Sequence, residues 1–149
     1  MEFTLNVCPT TQIRVRHTVA KRKNKTFVMV YKCKEQKFNE LELEYHLMPH
    51  RPKVPLSKAT IVKFTAYLPI PKSFSKKKRE QALNLEIFPI TKPDVDNLTK
   101  QLFDALTRMG FWTDDKIVFS LTAIKIYSDK PRWEVSIEKF QPHKNNMSI

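Results

Sequence analysis

The chain has 149 residues, 41% of them hydrophobic and 11% aromatic, with 27 Lys and Arg against 15 Asp and Glu for a net charge of +12. That length supports one folded domain with a real core, and the aromatic content argues against a disordered basic tail. The charge favours an anionic partner, nucleic acid or a membrane surface, and is silent about fold. A single glycine, Gly110, excludes a P-loop or GxGxxG turn, which need several glycines for close backbone approach to phosphate. No apolar run nears the roughly 18 residues of a bilayer span, and the N-terminus carries no signal-peptide core, which predicts a soluble intracellular protein with no membrane partner. Cys8 and Cys33 lack CxxC spacing and histidine neighbours, so they read as small buried or half-buried side chains, neither zinc ligands nor a disulfide. The histidines at 17, 46, 50 and 143 form no metal or nuclease motif.

Phe3, Leu5 and Val7 alternate with polar residues and predict a first strand ending near Pro9. A second strand would carry Ile13 and Val15 on one face and Arg14 and Arg16 on the other, basic, face. Lys21 to Lys25 reads as a hairpin loop leading to a strand over Phe27 to Tyr31. Phe38, Leu41, Tyr45 and Met48 recur at helical steps and predict an amphipathic helix from Lys34 to Met48, ended by Pro49, Pro52 and Pro55. Val62, Phe64, Ala66 and Leu68 mark a strand that Pro69 and Pro71 close.

Lys76, Lys77, Lys78 and Arg79 open a predicted short helix capped by Ser75 and running to about Asn84. Four cations in a first turn oppose the helix dipole unless an anion such as phosphate is near, although a plain solvated charge run accounts for them too. Leu98, Leu102, Ala105, Leu106 and Met109 form the stripe of another helix, with Gly110 at its left-handed C-cap. Ile117 to Tyr127 and Arg132 to Phe140 read as strands of an antiparallel hairpin through the turn Ser128 to Pro131. The prediction is an α+β fold: one domain over 1–140, a small mixed or antiparallel sheet packed with two main helices, and a flexible tail over 141–149.

Against this basic background, Asp94, Asp96, Asp104, Asp114 and Asp115 gather in one stretch. Hard carboxylate oxygens in a protein suited to polyanions suggest a divalent cation held against phosphate, the chemistry of a nuclease. Asp94 or Asp96 could cap the following helix, but capping accounts for only one of them. Alternate residues on an extended entry can converge on one Mg2+. Asp96, Lys100 and Asp104, four apart, share a helical face, so Lys100 can meet a phosphate or pair within the helix for about 0.3 to 0.5 kcal/mol.

The series Lys92 Pro93 Asp94 Val95 Asp96 Asn97 Leu98 Thr99 Lys100, then Phe103 Asp104 Ala105 Leu106, then Gly110 Phe111 Trp112 Thr113 Asp114 Asp115 resembles the signature of the RusA-type Holliday junction resolvases. The D-x-D-N-x-x-K, D-A-L and D-D elements match in order and spacing, over roughly Ala66 to Glu138, with the Pro71 to Lys77 segment of some members. Before Ala66 this chain carries Thr10 to Arg16 where many members have a proline- and arginine-rich segment. The resemblance implies a homodimeric, Mg2+-dependent endonuclease, with Mn2+ as a possible substitute, that nicks four-way DNA junctions in pairs. It places Asp94, Asp96 and Asp115 as metal ligands, Asp114 as an additional one, Lys100 as the essential cation, and leaves Asp104 between a catalytic and a structural role. The DNA-contact candidates come from the charge pattern itself, Lys76, Lys77, Lys78 and Arg79 in the basic turn and Arg14 and Arg16 on the basic strand face, and no small-molecule cofactor is expected. A cytoplasmic setting, in a bacterial cell or a phage-infected host, goes with the family, and a phage or prophage origin is compatible with it.

The alternatives are a non-catalytic basic DNA- or junction-binding protein, a PD-(D/E)xK nuclease reading Pro93 Asp94 with Asp114 Asp115 Lys116, and a DxD glycosyltransferase for which the chain is too short. One geometric tension stands. A helix of some 13 residues separates Asp96 from the Asp114 Asp115 pair by roughly 20 Å end to end. Either the residues after Gly110 run back along the helix, or the second pair completes a site on another subunit; the expectation is the second.

Overall fold

A computed structural model of the chain describes residues 1–11, 16–23 and 25–142. The elements in chain order are β1 (Glu2–Leu5), β2 (Arg16–Arg22), β3 (Lys25–Tyr31), α1 (Lys34–Leu47), β4 (Thr60–Pro69), α2 (Lys76–Leu83), α3 (Val95–Arg108), β5 (Val118–Ser128) and β6 (Arg132–Lys139). This is the predicted α+β class, in two layers. A four-stranded sheet of order β1-β6-β4-β5 turns one face to α1 and α3.

Alternation along the strands builds the core. Phe3 and Leu5, Val62, Phe64 and Ala66, and Trp133, Val135 and Ile137 are all buried on the face that meets Leu43, Leu47, Leu98, Leu102, Ala105 and Leu106. The opposite face carries Thr4, Lys63, Thr65, Thr122, Glu134 and Ser136 around a shallow depression. Such one-sided burial is what period-two patterning allows.

The predicted β5–β6 hairpin is not formed. β4 lies between the two, parallel to β5 and antiparallel to β6. Ser128 pairs with Pro69 and Arg132 with Tyr67, so Asp129 to Pro131 crosses the end of β4 instead of folding back on itself. Two strand spacings, about 10 Å, are within reach of that connection. β4 and β6 bury every second residue and stand at the centre, whereas β5 has partly exposed residues along its length and stands at the edge.

The helix over α1 forms, but its buried face is not the predicted one. Gln36, Leu43 and Leu47 face the core, while Phe38, Leu41, Tyr45 and Met48 are 60 to 71% exposed. Glu40 accepts from Lys32 Nζ and Gln36 Nε2, at 2.9 and 2.8 Å, and Glu44 pairs with Arg108 of α3. These polar contacts turn the helix so that its aromatic stripe points outward. The β2–β3 hairpin also forms, seven residues on each side from Arg16↔Tyr31 to Arg22↔Lys25, with a tighter turn than the predicted Lys21 to Lys25 loop. Ile13, Arg14 and Val15 lie outside the described residues, as does the tail from His143. Cys8, predicted buried or half-buried, is exposed because it follows the inward Val7; Cys33 is half-buried.

Ser75 caps α2 as predicted, its hydroxyl accepting from Lys78 N at 3.2 Å. Gly110 ends α3 with φ +75°, the left-handed region, and a Cβ there would come 3.2 Å from Arg51 Nη2. After it Phe111 and Trp112 plunge into the core, and Trp112 bridges Leu56.

Candidate active site

The residues after Gly110 decide the site. Phe111 N donates to Leu106 O and Leu56 N donates to Phe111 O, reversing the chain at the end of α3. Trp112 is buried, and its indole N–H donates to Thr107 Oγ1 at 2.7 Å. The chain is thus pinned against the helix, and the 3-10 turn Asp115–Ile117 emerges beside it. As a result Asp96, Lys100, Asp104 and Asp115 line one groove of about 780 Å³, walled by Val95, Thr99, Phe103, Leu121 and Ala123. The groove thus joins one carboxylate from each acidic pair; Asp94 and Asp114 are not among its walls.

Each carboxylate has a distinct setting. Asp94 occupies the N-cap position of α3 in extended conformation, yet its side chain caps nothing. Asp96 sits in the first turn, exposed, where the positive end of the helix dipole favours negative charge. Neither carboxylate has a hydrogen-bond or ion-pair partner among the described residues. Asp114 caps the 3-10 turn: its carboxylate accepts from Lys116 N at 2.9 Å and lies 3.5 Å from Lys116 Nζ. That backbone N–H, helped by the Lys116 ammonium, holds the Asp114 carboxyl below the usual carboxylate range. Asp114 lines an adjoining hollow with Asp104, Thr107, Arg108, Thr113 and Asp115. Lys100, exposed on α3, is in no salt bridge among the described residues.

The basic helix lies at the opposite end of β5. Phe74 packs edge-on against Tyr127, with ring centroids 5.5 Å apart, and Lys78 Nζ sits 4.3 Å over the Phe74 ring. Lys76, Lys77, Lys78 and Arg79 are all exposed. Tyr127 also lines a cleft with Pro69, Pro71, Pro89, Thr91, Lys92 and Pro93, where the Lys92–Pro93 peptide is cis. The cationic turn and the approach to Asp94 therefore meet at the C-terminal ends of the parallel β4–β5 pair.

Sequence reasoning passed over Lys125. It stands on β5 in register with buried Ala66, and its ammonium donates to Thr91 O at 2.8 Å and Pro93 O at 2.9 Å. Its mark in the sequence is a charge at the inward phase of an alternating strand, between Ala123 and Tyr127. Arg14 lies outside the described residues, and only the backbone of Arg16, at the start of β2, is described.

The family profile described as Endodeoxyribonuclease RusA matches residues 6–138. The chain belongs to the RusA endodeoxyribonuclease family. It is 41% identical over 92 residues, 60% of this chain and 64% of the other, to Uncharacterized protein YqaN of Bacillus subtilis. It is 52% identical over 33 residues to Crossover junction endodeoxyribonuclease RusA of Escherichia coli K12, covering 22% and 28% of the two chains. To Crossover junction endodeoxyribonuclease rusA of Lactococcus phage r1t it is 38% identical over 47 residues, 32% and 36%. The matched stretches thus span less than two thirds of these relatives. No helix among the described residues is long and apolar enough to cross a membrane.

Proposed function

We propose that this RusA-family chain is a Mg2+-dependent, structure-specific endonuclease that resolves four-way DNA junctions by paired phosphodiester hydrolysis. The observation that carries the reading is the groove that Asp96, Lys100 and Asp115 share, with exposed carboxylates in a protein of charge +12. Mg2+ typically takes one or two protein carboxylates and completes its shell with water and substrate phosphate. The donor set fits that habit. Asp94 and Asp96 keep their carboxylates free of hydrogen-bond partners, and no three His, Cys, Asp or Glu among the described residues stand close enough to form a cage.

In this reading Asp96 and Asp115, which share the groove, would hold the ion, with Mn2+ able to replace it; Asp94, two residues before Asp96 at the N-cap, would be drawn in as a third ligand once the ion is bound, while Asp114 orients its neighbour through the capped turn. The bound ion would polarise the scissile phosphate and lower the pKa of a water for in-line attack. Lys100 faces the cut phosphate and offsets the charge that develops on it. Lys76, Lys77, Lys78 and Arg79 hold DNA arms through phosphate contacts, which position without reading sequence.

The chain acts as a homodimer in this reading. Nine apolar side chains, Val19, Phe27 to Val30, Phe38, Leu41, Tyr45 and Met48, are 50 to 71% exposed on the hairpin and α1. An isolated two-stranded hairpin is marginal in water. Val19, Val28 and Val30 lie on one face of the hairpin and Phe27 and Met29 on the other, so a second copy that clasps the hairpin and covers the outer stripe of α1 would bury them all.

The test is a synthetic four-way junction incubated with the protein and Mg2+, with linear duplex as control. Paired nicks in the junction alone are expected. Asp96→Asn should lower nicking more than about a hundredfold while junction binding holds or tightens, because one negative charge near phosphate is gone. Tight, salt-sensitive binding with intact DNA would instead make the chain a non-catalytic junction-binding protein.

A further inference from the structure

The segment that presents the acidic motif has little to hold it. Residues 87–93 form no helix or strand; Phe88, Ile90, Thr91 and Lys92 are exposed and only Pro89 is buried. Among the described residues, the only hydrogen bonds that reach this segment come from Lys125 Nζ, to Thr91 O and Pro93 O. We propose that Lys125 is a positioning residue: it straps residues 91–93 to the sheet and so sets where Asp94 and Asp96 stand. The catalytic half of the proposal rests on the nuclease reading; the strap does not.

The placement is specific. On the helix-facing side of β5 the side chains run Leu121, Ala123, Lys125, Tyr127. The first two wall the groove that holds Asp96, Lys100 and Asp115, and the last lines the proline cleft with Thr91, Lys92 and Pro93. Lys125 stands between groove and cleft on a strand paired with β4 along its whole inward run, from Leu121↔Val62 to Tyr127↔Leu68. Apolar residues occupy the matching positions of β4, Val62, Phe64, Ala66 and Leu68.

Lys125 is half-buried at an inward-phase position, and its ammonium turns to the segment at the rim of the sheet. The partners here are main-chain carbonyls, not a carboxylate, so two charge-assisted bonds bracket the peptide before Asp94. Pro93 has no N–H of its own to pair. Without Lys125, residues 91–93 would keep no hydrogen bond among the described residues, only the packing of half-buried Pro93 and of the buried Pro89 next to them. A displacement of about 1 Å in a catalytic group can cost about a hundredfold in rate.

The test compares wild type with Lys125→Met, which keeps the stem and loses the donors, Lys125→Gln, which keeps donors on a shorter reach, and Lys125→Arg, which keeps charge and donors. Three readouts are amide hydrogen exchange by peptide, single-turnover nicking of a four-way junction across a Mg2+ titration, and junction affinity in EDTA. Lys125→Met should speed exchange over 87–98 and leave β4 and β6 unchanged. Its nicking rate should fall about a hundredfold with a raised Mg2+ half-saturation, and its junction Kd should stay within about twofold. Lys125→Arg should restore at least a tenth of the rate, and Lys125→Gln should fall between Met and Arg; if the Met protein does not fold, the Gln and Arg proteins decide by the same readouts. Unchanged exchange over 87–98, or a rate loss matched by lost junction binding, would overturn the proposal. If wild type itself leaves the junction whole in Mg2+, the nuclease reading fails, and the exchange comparison still decides the strap.

Discussion

Asp96, in the first turn of α3, and Asp115, beyond its far end, line the same groove within one chain. The chain between Gly110 and Asp115 runs back along the helix because Phe111 and Trp112 are buried against it. If these two aspartates act on one phosphate, they do so from one subunit. Mixing Asp96→Asn protein with Asp115→Asn protein should then regain no nicking, because each copy carries one damaged site. Denaturing both, refolding them together and assaying a four-way junction checks this. Recovery to a sizeable fraction of wild-type activity would put the two carboxylates on different subunits.

Thr107 and Trp112 hold that return in place. The Thr107 hydroxyl donates to Phe103 O at 2.9 Å and accepts from the buried indole N–H. Thr107→Val leaves that N–H without its acceptor and should destabilise the fold by about 1 to 3 kcal/mol in urea unfolding. Nicking should fall further than stability alone accounts for, because Asp115 loses its mooring.

The basic turn of α2 makes a salt-dependent prediction. Each phosphate contact adds about 0.9 to the slope of log K against log salt on duplex DNA. Lys76→Ala and Lys77→Ala should each lower that slope by up to about one and weaken linear duplex and junction alike, measured by fluorescence anisotropy across a salt series. A change in slope confined to one DNA sequence would contradict a phosphate role.

Glu40 links α1 stability to pH. Its side chain is 13% exposed; burial alone would raise its pKa, but hydrogen bonds from Gln36 and Lys32 and the nearby Arg108 charge leave it below the usual glutamate value. A carboxyl depressed in the folded state contributes stability above its unfolded pKa and loses it as pH falls through the folded value. Wild type should therefore exceed Glu40→Gln by about 1 kcal/mol near neutral pH, and the gap should close below about pH 4.5. Thermal melts of both proteins between pH 7 and pH 3 read it directly.

The outward stripe of α1 predicts an association that a double substitution can break. Phe38→Lys with Leu41→Lys, both on the exposed face, should leave the melting temperature of the subunit nearly unchanged and shift its mass by light scattering from dimer to monomer. An unaltered mass would remove this stripe from the dimer interface.

Much of this protein was legible residue by residue. Strand alternation at Phe3, Leu5, Val62, Phe64, Ala66 and Leu68 and the stripe of α3 are set by local periodicity. So are the Ser75 cap and the Gly110 stop, since caps and left-handed turns depend on residue type at one position. The Asp-x-Asp-Asn series and its Lys100 were equally plain, because helical spacing places them without knowledge of the rest. Other features depended on partners distant in sequence. The insertion of β4 between β5 and β6 overrode a plausible turn at Ser128 to Pro131, since pairing is decided by which strands bury best, not by which are adjacent in sequence. The same holds for α1, where Glu40 and Glu44 found Lys32 and Arg108 and turned an apparent core stripe outward. It holds too for the groove joining Asp96 to Asp115 and for the reach of Lys125 to Thr91 and Pro93. Local chemistry determined which residues could act; long-range packing, through burial of Trp112 and pairing of β5, decided which of them meet.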